Sequence, residues 1–203
     1  MGKQTNQRIR ATSREKLIGA AFSLIFRNGF QATGLDAIMS RAGVTKGAIY
    51  HHFRNKNELG YCVFDEVVAQ WVRERWIDPF VRTEDPLGEL RARMQSLTKL
   101  PNRHLAQGCP LNNLIQEVGG VDSGFGARMN ALLDDWRSVL AGALRRGQRN
   151  GLVRRDLETV NAAAFIVAAI EGVVGIAKPA SDNRVFKQSV AGFAGYLETL
   201  APQ

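Results

Sequence analysis

The sequence predicts an all-α chain of about nine helices, a short three-helix N-terminal part followed by a longer helical body. Three observations carry this. Apolar residues recur at helical spacing in nearly every segment, and no segment shows sustained strand alternation. Capping signatures recur early: Thr12 with Glu15, Thr33 with Asp36, and Asn55 with Glu58. Stop signals then fall at helix-length intervals, at Gly29, Gly43, Pro79, Pro101, Gly119-Gly120, Asn150-Gly151 and Pro179. With 203 residues, 45% of them hydrophobic, the chain can bury a sizeable core, and its expected division is into residues 1–54 and 55–203.

The first helix is expected from about Ser13 to Asn28, capped by Thr12 and stopped by Gly29. Its stripe of Leu17, Ala20, Ala21, Leu24 and Phe26 should cover the two helices that follow. Thr33 opens the second helix, with Leu35, Ile38, Met39 and Ala42 on one face, and Gly43 supplies the left-handed residue that ends it. Two residues later Thr45 caps a third helix, which begins Lys46-Gly47-Ala48 and ends in Tyr50-His51-His52-Phe53. Two short helices joined by a tight glycine turn make a helix-turn-helix. Small residues at the front of the second would let its backbone approach a groove floor, with Thr, Lys and Tyr as donors suited to phosphate oxygens.

The run Ala42-Gly43-Val44-Thr45-Lys46-Gly47-Ala48-Ile49-Tyr50-His51-His52-Phe53, with Lys56 after it, resembles the N-terminal signature of the TetR family of bacterial transcriptional regulators. Ala20-Ala21, Phe26, Asn28-Gly29-Phe30 and Ala32-Thr33 match in order and spacing. The likeness is specific over residues 12–60 and diffuse beyond. Met39, where the family has a small residue, and Gly60, near the start of the next helix, are small departures. The resemblance implies an N-terminal helix-turn-helix DNA-binding domain and a C-terminal helical domain for effector binding and dimerisation. It also implies a double-stranded operator as partner, with repression as the usual mode. Carried over residue by residue, Thr33, Thr45, Tyr50, His51 and Lys56 would meet phosphates, and Lys46, Gly47 and Ala48 would face base edges. The structural alternative is core packing, which His52 and Phe53 suit best.

Charge supports the same reading independently. The chain carries +8, yet residues 1–60 hold ten Lys or Arg against three acids, while the remainder holds seventeen against sixteen. A basic third beside a neutral remainder fits a phosphate-binding module joined to something else. A sequence-indifferent DNA-packaging protein would spread its bases along the whole chain.

Helix four should open at Asn55 and run to about Trp76 or Ile77, carrying Leu59, Val63, Val67 and Trp71, with Pro79 ending it. Asp85-Pro86 starts a fifth helix that stops near Pro101. Residues 102–110 read as a loop, and Pro110 begins a helix to about Val118. A strongly amphipathic helix follows from about Asp122 to Arg149, with Met129, Leu132, Leu133, Trp136, Val139, Leu140, Ala143 and Leu144 in its stripe. Asp156 should cap the next helix, which ends before Pro179. The last, from Asn183 to Leu200, carries Val185, Phe186, Val190, Phe193 and Leu197.

Within these, Ala162 to Ala177 is apolar on nearly every face, interrupted only by Glu171. A helix apolar all round must be covered all round. In a chain this small, that requires one face inside the protomer and another against a second subunit. The resemblance implies the same homodimer through the last two helices, and a twofold pair of reading heads demands a near-palindromic site.

The resemblance further implies a pocket in the C-terminal domain for a small hydrophobic effector. Candidate lining residues are Phe64, Trp71, Met94, Leu111, Leu114, Gln116, Trp136, Phe165 and Glu171, although side chains so spaced are more often plain core. Glu171 stands apart, since an acid in an apolar helix must be paired, hydrogen-bonded or protonated, or serve a ligand. Cys109, just before a helix start, sits where backbone N–H groups favour a thiolate. The stretch Gly108-Cys109-Pro110-Leu111-Asn112-Asn113-Leu114 resembles that of a TetR subgroup sensing electrophiles through such a cysteine. The alternative is a buried, inert thiol.

Other classes find little support. No Gly-rich loop follows a strand, and His51, His52 and His104 lack the neighbours of a catalytic site, so the chain reads as no enzyme. Three histidines and two unpaired cysteines, Cys62 and Cys109, suggest no metal, no cofactor and no structural disulfide. The polar, basic start reads as no secretory signal, and the sixteen-residue apolar run falls short of a membrane span. The expected location is the cytoplasm.

Overall fold

The computed structural model describes residues 12–178 and 184–202. It is 78% helical, with no strand among the described residues. Nine helices organise it: α1 Ser13–Asn28, α2 Leu35–Ala42, α3 Lys46–His52, α4 over 56–82, α5 Pro86–Thr98, α6 over 110–119, α7 Ser123–Arg149, α8 Thr159–Ala177 and α9 Arg184–Glu198. The expected start at Asn183 lies outside the described residues. The chain divides into two compact units, 1–64 and 65–203.

In the first unit, α1 packs against α2, α3 and the first two turns of α4. The core is Leu17, Ala21, Ile25, Phe30, Ile38, Ile49, Phe53, Leu59 and Val63. Ile18 and Ile25 are buried on α1, whereas Leu24 and Phe26 of the expected stripe are only half-buried. The Thr12 capping box closes as expected: its hydroxyl accepts from the Glu15 N–H, and the Glu15 carboxylate accepts from the Thr12 N–H at 2.7 Å. Asn55 caps α4 by accepting from the Glu58 N–H at 2.9 Å. Glu58 then reaches one residue further back, to the Arg54 N–H. Thr33 departs from expectation. Gly34 is the N-cap of α2, and the Thr33 hydroxyl donates backward to the Gly29 carbonyl at 2.6 Å. That bond fastens the turn between α1 and α2 instead of capping a helix.

The second unit is built around α7, which packs against α8, α5, α6 and the later part of α4. Trp136 of α7 stacks on Trp76 of α4 with ring centroids 5.7 Å apart, both rings buried. Arg128 pairs with Asp65 at 3.0 Å, and Arg73 pairs with Asp135. Pro79 does not end α4. The helix widens into π turns at Phe64–Val68 and Arg73–Ile77, then continues through Asp78–Arg82. Pro79 has no N–H to offer the Arg75 carbonyl four residues earlier, and Arg93 Nη1 donates to that carbonyl at 2.6 Å instead. Arg146 then donates to the carbonyls of Phe80 and Thr83, satisfying the true end of α4.

Three smaller expectations change. The 102–110 loop contains a helical turn, Asn102–Leu105. Glu158, not Asp156, stands at the N-cap of α8, without a side-chain cap. The preceding loop is instead fixed by Gln148, whose amide donates to the carbonyls of Arg154, Arg155 and Leu157. Finally, α8 has 19 residues and a mean hydropathy of 2.0, enough by length and composition alone to cross a membrane. It packs between α7 and α9 with part of its apolar face left exposed.

Candidate nucleic-acid interface

The turn between α2 and α3 is set by Gly43, at φ 65°, with the Val44 N–H bonded to the Met39 carbonyl at 3.2 Å. Thr45 then caps α3, its hydroxyl accepting from the Ala48 N–H. Ile49 is the anchor: it is buried, which turns Lys46, Gly47, Tyr50 and His51 outward on the opposite face. Tyr50 is 52% exposed, a large value for an aromatic ring, and Ala48 is half-buried. A Cβ at Gly47 would meet nothing closer than the Thr45 hydroxyl at 4.0 Å, so the fold itself does not require glycine there. At the far end, Phe53 is buried, and His52 shares a 2.7 Å hydrogen bond with Ser13 that ties α3 to the first turn of α1. The expected core role of these two residues is what the geometry displays.

Two residues expected at phosphates are engaged elsewhere. Thr33 is buried and bonded to the Gly29 carbonyl. The Lys56 ammonium donates to the carbonyls of Phe30 and Gln31, at 3.1 and 3.3 Å, and lies 4.6 Å from the Phe30 ring centroid. It is a clamp holding the α1–α2 turn against α4, and it leaves Thr45, Lys46, Gly47, Ala48, Tyr50 and His51 as the presented surface. Of the basic N-terminal residues, Lys3, Arg8 and Arg10 lie outside the described residues.

The expected effector residues scatter. Met94, Leu111, Leu114 and Trp136 are packed in the interior of the second unit, and Phe64 is buried at the end of the first. Trp71 lines a surface depression between α4 and α5. Gln116 is exposed, and Phe165, 54% exposed, meets Tyr196 edge-on at 4.8 Å in a groove between α8 and α9. Both therefore face outward, away from an interior pocket.

Glu171 and Cys109 meet. The Cys109 thiol donates to Glu171 Oε1 at 3.4 Å, Asn112 Nδ2 donates to the Glu171 carbonyl at 2.9 Å, and Glu171 Oε2 is buried without a partner. Burial pushes the Glu171 carboxyl up to about 7. Burial, then the neighbouring Glu171 charge, pushes the Cys109 thiol well above its ordinary value, outweighing the backbone N–H groups of Leu111 and Asn112. The thiolate expected from a helix start is thus disfavoured. Asn112 escaped sequence reasoning because its partner lies 59 residues away with no local signal. Among the described residues no cluster of His, Cys, Asp or Glu could hold a metal ion.

Comparisons with known proteins agree with this architecture. Residues 17–59 match the family model for bacterial regulatory proteins of the tetR family. Residues 86–193 match the tetracyclin repressor-like C-terminal domain. An uncharacterized HTH-type transcriptional regulator in the lacX 3' region of Lactococcus lactis subsp. lactis is 26% identical over 178 residues, covering 87% of this chain and 89% of its own. The transcriptional regulator AcuR of Cereibacter sphaeroides is 30% identical over 146 residues, covering 70% and 65%. The crystal structure of regulatory protein TetR from Rhodobacter sphaeroides superposes with a TM-score of 0.79 at 26% identity, covering 92% and 99%. With a helix-turn-helix of this geometry and both halves matched, the chain belongs to the TetR family of DNA-binding transcriptional regulators, which are not enzymes.

Proposed function

We propose that this protein is a cytoplasmic repressor that binds a near-palindromic operator as a homodimer and is released by a small hydrophobic effector. The division of labour places DNA reading in residues 1–54 and effector binding with dimerisation in 55–203. The observation that carries the DNA reading is the outward face of α3, where Thr45, Lys46, Gly47, Tyr50 and His51 stand together opposite buried Ile49. Interior glycine costs a helix about 1 kcal/mol relative to alanine. The space around Gly47 would admit a side chain, so its glycine is best accounted for by close approach of a groove floor, with Lys46 and Ala48 at base edges.

The dimer reading rests on α8 and α9. Phe165 and Ile176 are 54% and 48% exposed, and the groove they line, about 370 Å³, is bordered almost wholly by apolar or small residues. A continuous apolar face of this kind is characteristic of a subunit interface. A second chain would bring a second reading head, as a twofold operator requires.

For the trigger, the buried thiol and its raised proton affinity favour non-covalent release over electrophile sensing through Cys109. Effector and operator must then weaken each other by the same factor. Footprinting on the promoter region next to the protein's own gene tests the reading. The expected result is a short protected palindrome, shrinking to nothing when Lys46→Ala and Tyr50→Phe are combined. Diffuse, sequence-indifferent protection would exclude an operator-specific regulator.

A further inference from the structure

The charged side chains between α4 and α5 differ in how far protein partners engage them, and half-buried Arg75 is engaged least. Arg93 lies 2.6 Å from Glu89, donates to the Arg75 carbonyl, and covers the Phe80 ring. Glu74 accepts from Gln70 at 2.7 Å. Arg75 differs. Its guanidinium lies over the Trp71 ring, 5.1 Å from the centroid, and among the described residues no acceptor meets its N–H groups. It borders a depression of about 240 Å³ whose lining mixes polar Glu74, Arg93 and Ser96 with the Trp71 ring and the edges of Trp76 and Leu97.

We propose that this depression binds a small organic monocarboxylate with a compact, planar apolar body. The guanidinium presents a planar fork that matches a carboxylate through two parallel N–H···O bonds. Stacking on Trp71 holds that fork in place before any ligand arrives, which lowers the ordering cost of binding. Arg93 on the same lining is paired with Glu89, so Arg75 is the cation left to bind and Glu74 sets the charge limit: a dianion such as phosphate would meet its carboxylate more strongly than a monoanion would. The volume lies below the range of roughly 300–1,000 Å³ occupied by drug-sized ligands, which restricts the body to about one ring. Trp71, Trp76 and Leu97 would cover that ring. The site lies wholly in the second unit and needs no DNA, so it stands apart from the operator reading.

Benzoate is the probe. The full-length protein, without DNA, is titrated by calorimetry and by tryptophan fluorescence to about twenty millimolar at fixed ionic strength, a range that captures millimolar affinities. Saturable benzoate binding is expected. Neutral benzamide and inorganic phosphate should each bind about tenfold more weakly or worse, and Arg75→Gln should weaken benzoate by about tenfold with helicity unchanged. The proposal is overturned by absence of saturation, by equal affinity for benzamide, by phosphate outcompeting benzoate, or by an unaffected Arg75→Gln variant. The benzoate–benzamide contrast uses the unaltered protein and decides the matter even where the variant fails to fold.

Discussion

The Cys109 thiol donates to Glu171 Oε1 at 3.4 Å, joining two residues 62 positions apart at the start of α6 and the middle of α8. Burial raises the proton affinity of both groups. The Glu171 charge adds to the rise at the thiol, while the hydrogen bonds from Cys109 and Asn112 pull the carboxyl part of the way back. Near neutral pH the thiol therefore keeps its proton, while the carboxyl, at about 7, is divided between its protonated and ionised forms.

A thiol in that state should be slow. Native Cys109 is expected to react with a maleimide at least about tenfold more slowly than in urea-unfolded protein at the same pH, because the thiolate is the nucleophile. Peptide mass spectrometry after timed quenching reads this directly. Equal rates in the two states would contradict the burial described here.

Glu171 makes stability depend on pH in a definite direction. Its folded-state value of about 7 lies above the ordinary 4.5. Between those values the folded protein holds a proton that the unfolded chain has lost, so stability should fall as pH rises from 4.5 to 7 and level off above 7. The loss assignable to this group is on the order of 3 kcal/mol. Glu171→Gln should abolish it, raising the melting temperature at pH 8 and changing it little at pH 5. Thermal denaturation at both pH values gives the answer, and identical shifts at the two would contradict it.

Lys56 and Tyr50 should separate stability from DNA affinity. Lys56→Met removes two charge-assisted bonds to the Phe30 and Gln31 carbonyls and a ring contact, and should destabilise the first unit by about 1–3 kcal/mol. Tyr50→Phe touches an exposed hydroxyl and should leave the melting temperature unchanged while weakening operator binding. Differential scanning fluorimetry paired with gel-shift titration distinguishes the two outcomes.

Placing a charge on the α8 face should dissociate the proposed dimer. Phe165→Glu with Ile176→Arg is expected to shift the molar mass from two chains to one in light scattering, with the far-ultraviolet helical signal retained. Dimers of unchanged stability would locate subunit contact elsewhere.

The helix-turn-helix was legible because its determinants are local. Thr12, Gly43, Thr45 and Asn55 act on backbone groups within a few residues, and such effects survive without tertiary context. Thr33 was misjudged because a hydroxyl four residues past a carbonyl has two local partners to choose from, and burial decided for the backward one. Lys56 misled for another reason: sequence shows a cation near a reading head, while only the fold shows carbonyls 25 and 26 residues away. That Phe165 and Gln116 lie at the surface was not legible, because helical spacing indicates that a side chain lies on an apolar or polar stripe without saying which neighbour, if any, covers it.

Pro79 and Arg93 have a consequence for how this chain can change over generations. An arginine supplies from α5 the donor that a proline withholds within α4. Replacing Arg93 alone strands a carbonyl, whereas replacing both by residues with ordinary amides and neutral side chains restores the bond within α4 itself. The two positions thus form one inherited choice, and their substitution effects should be far from additive. Bacterial lineages that lose the proline would be released from keeping the arginine, and with it from one of the ties between the two helices that border the Arg75 depression.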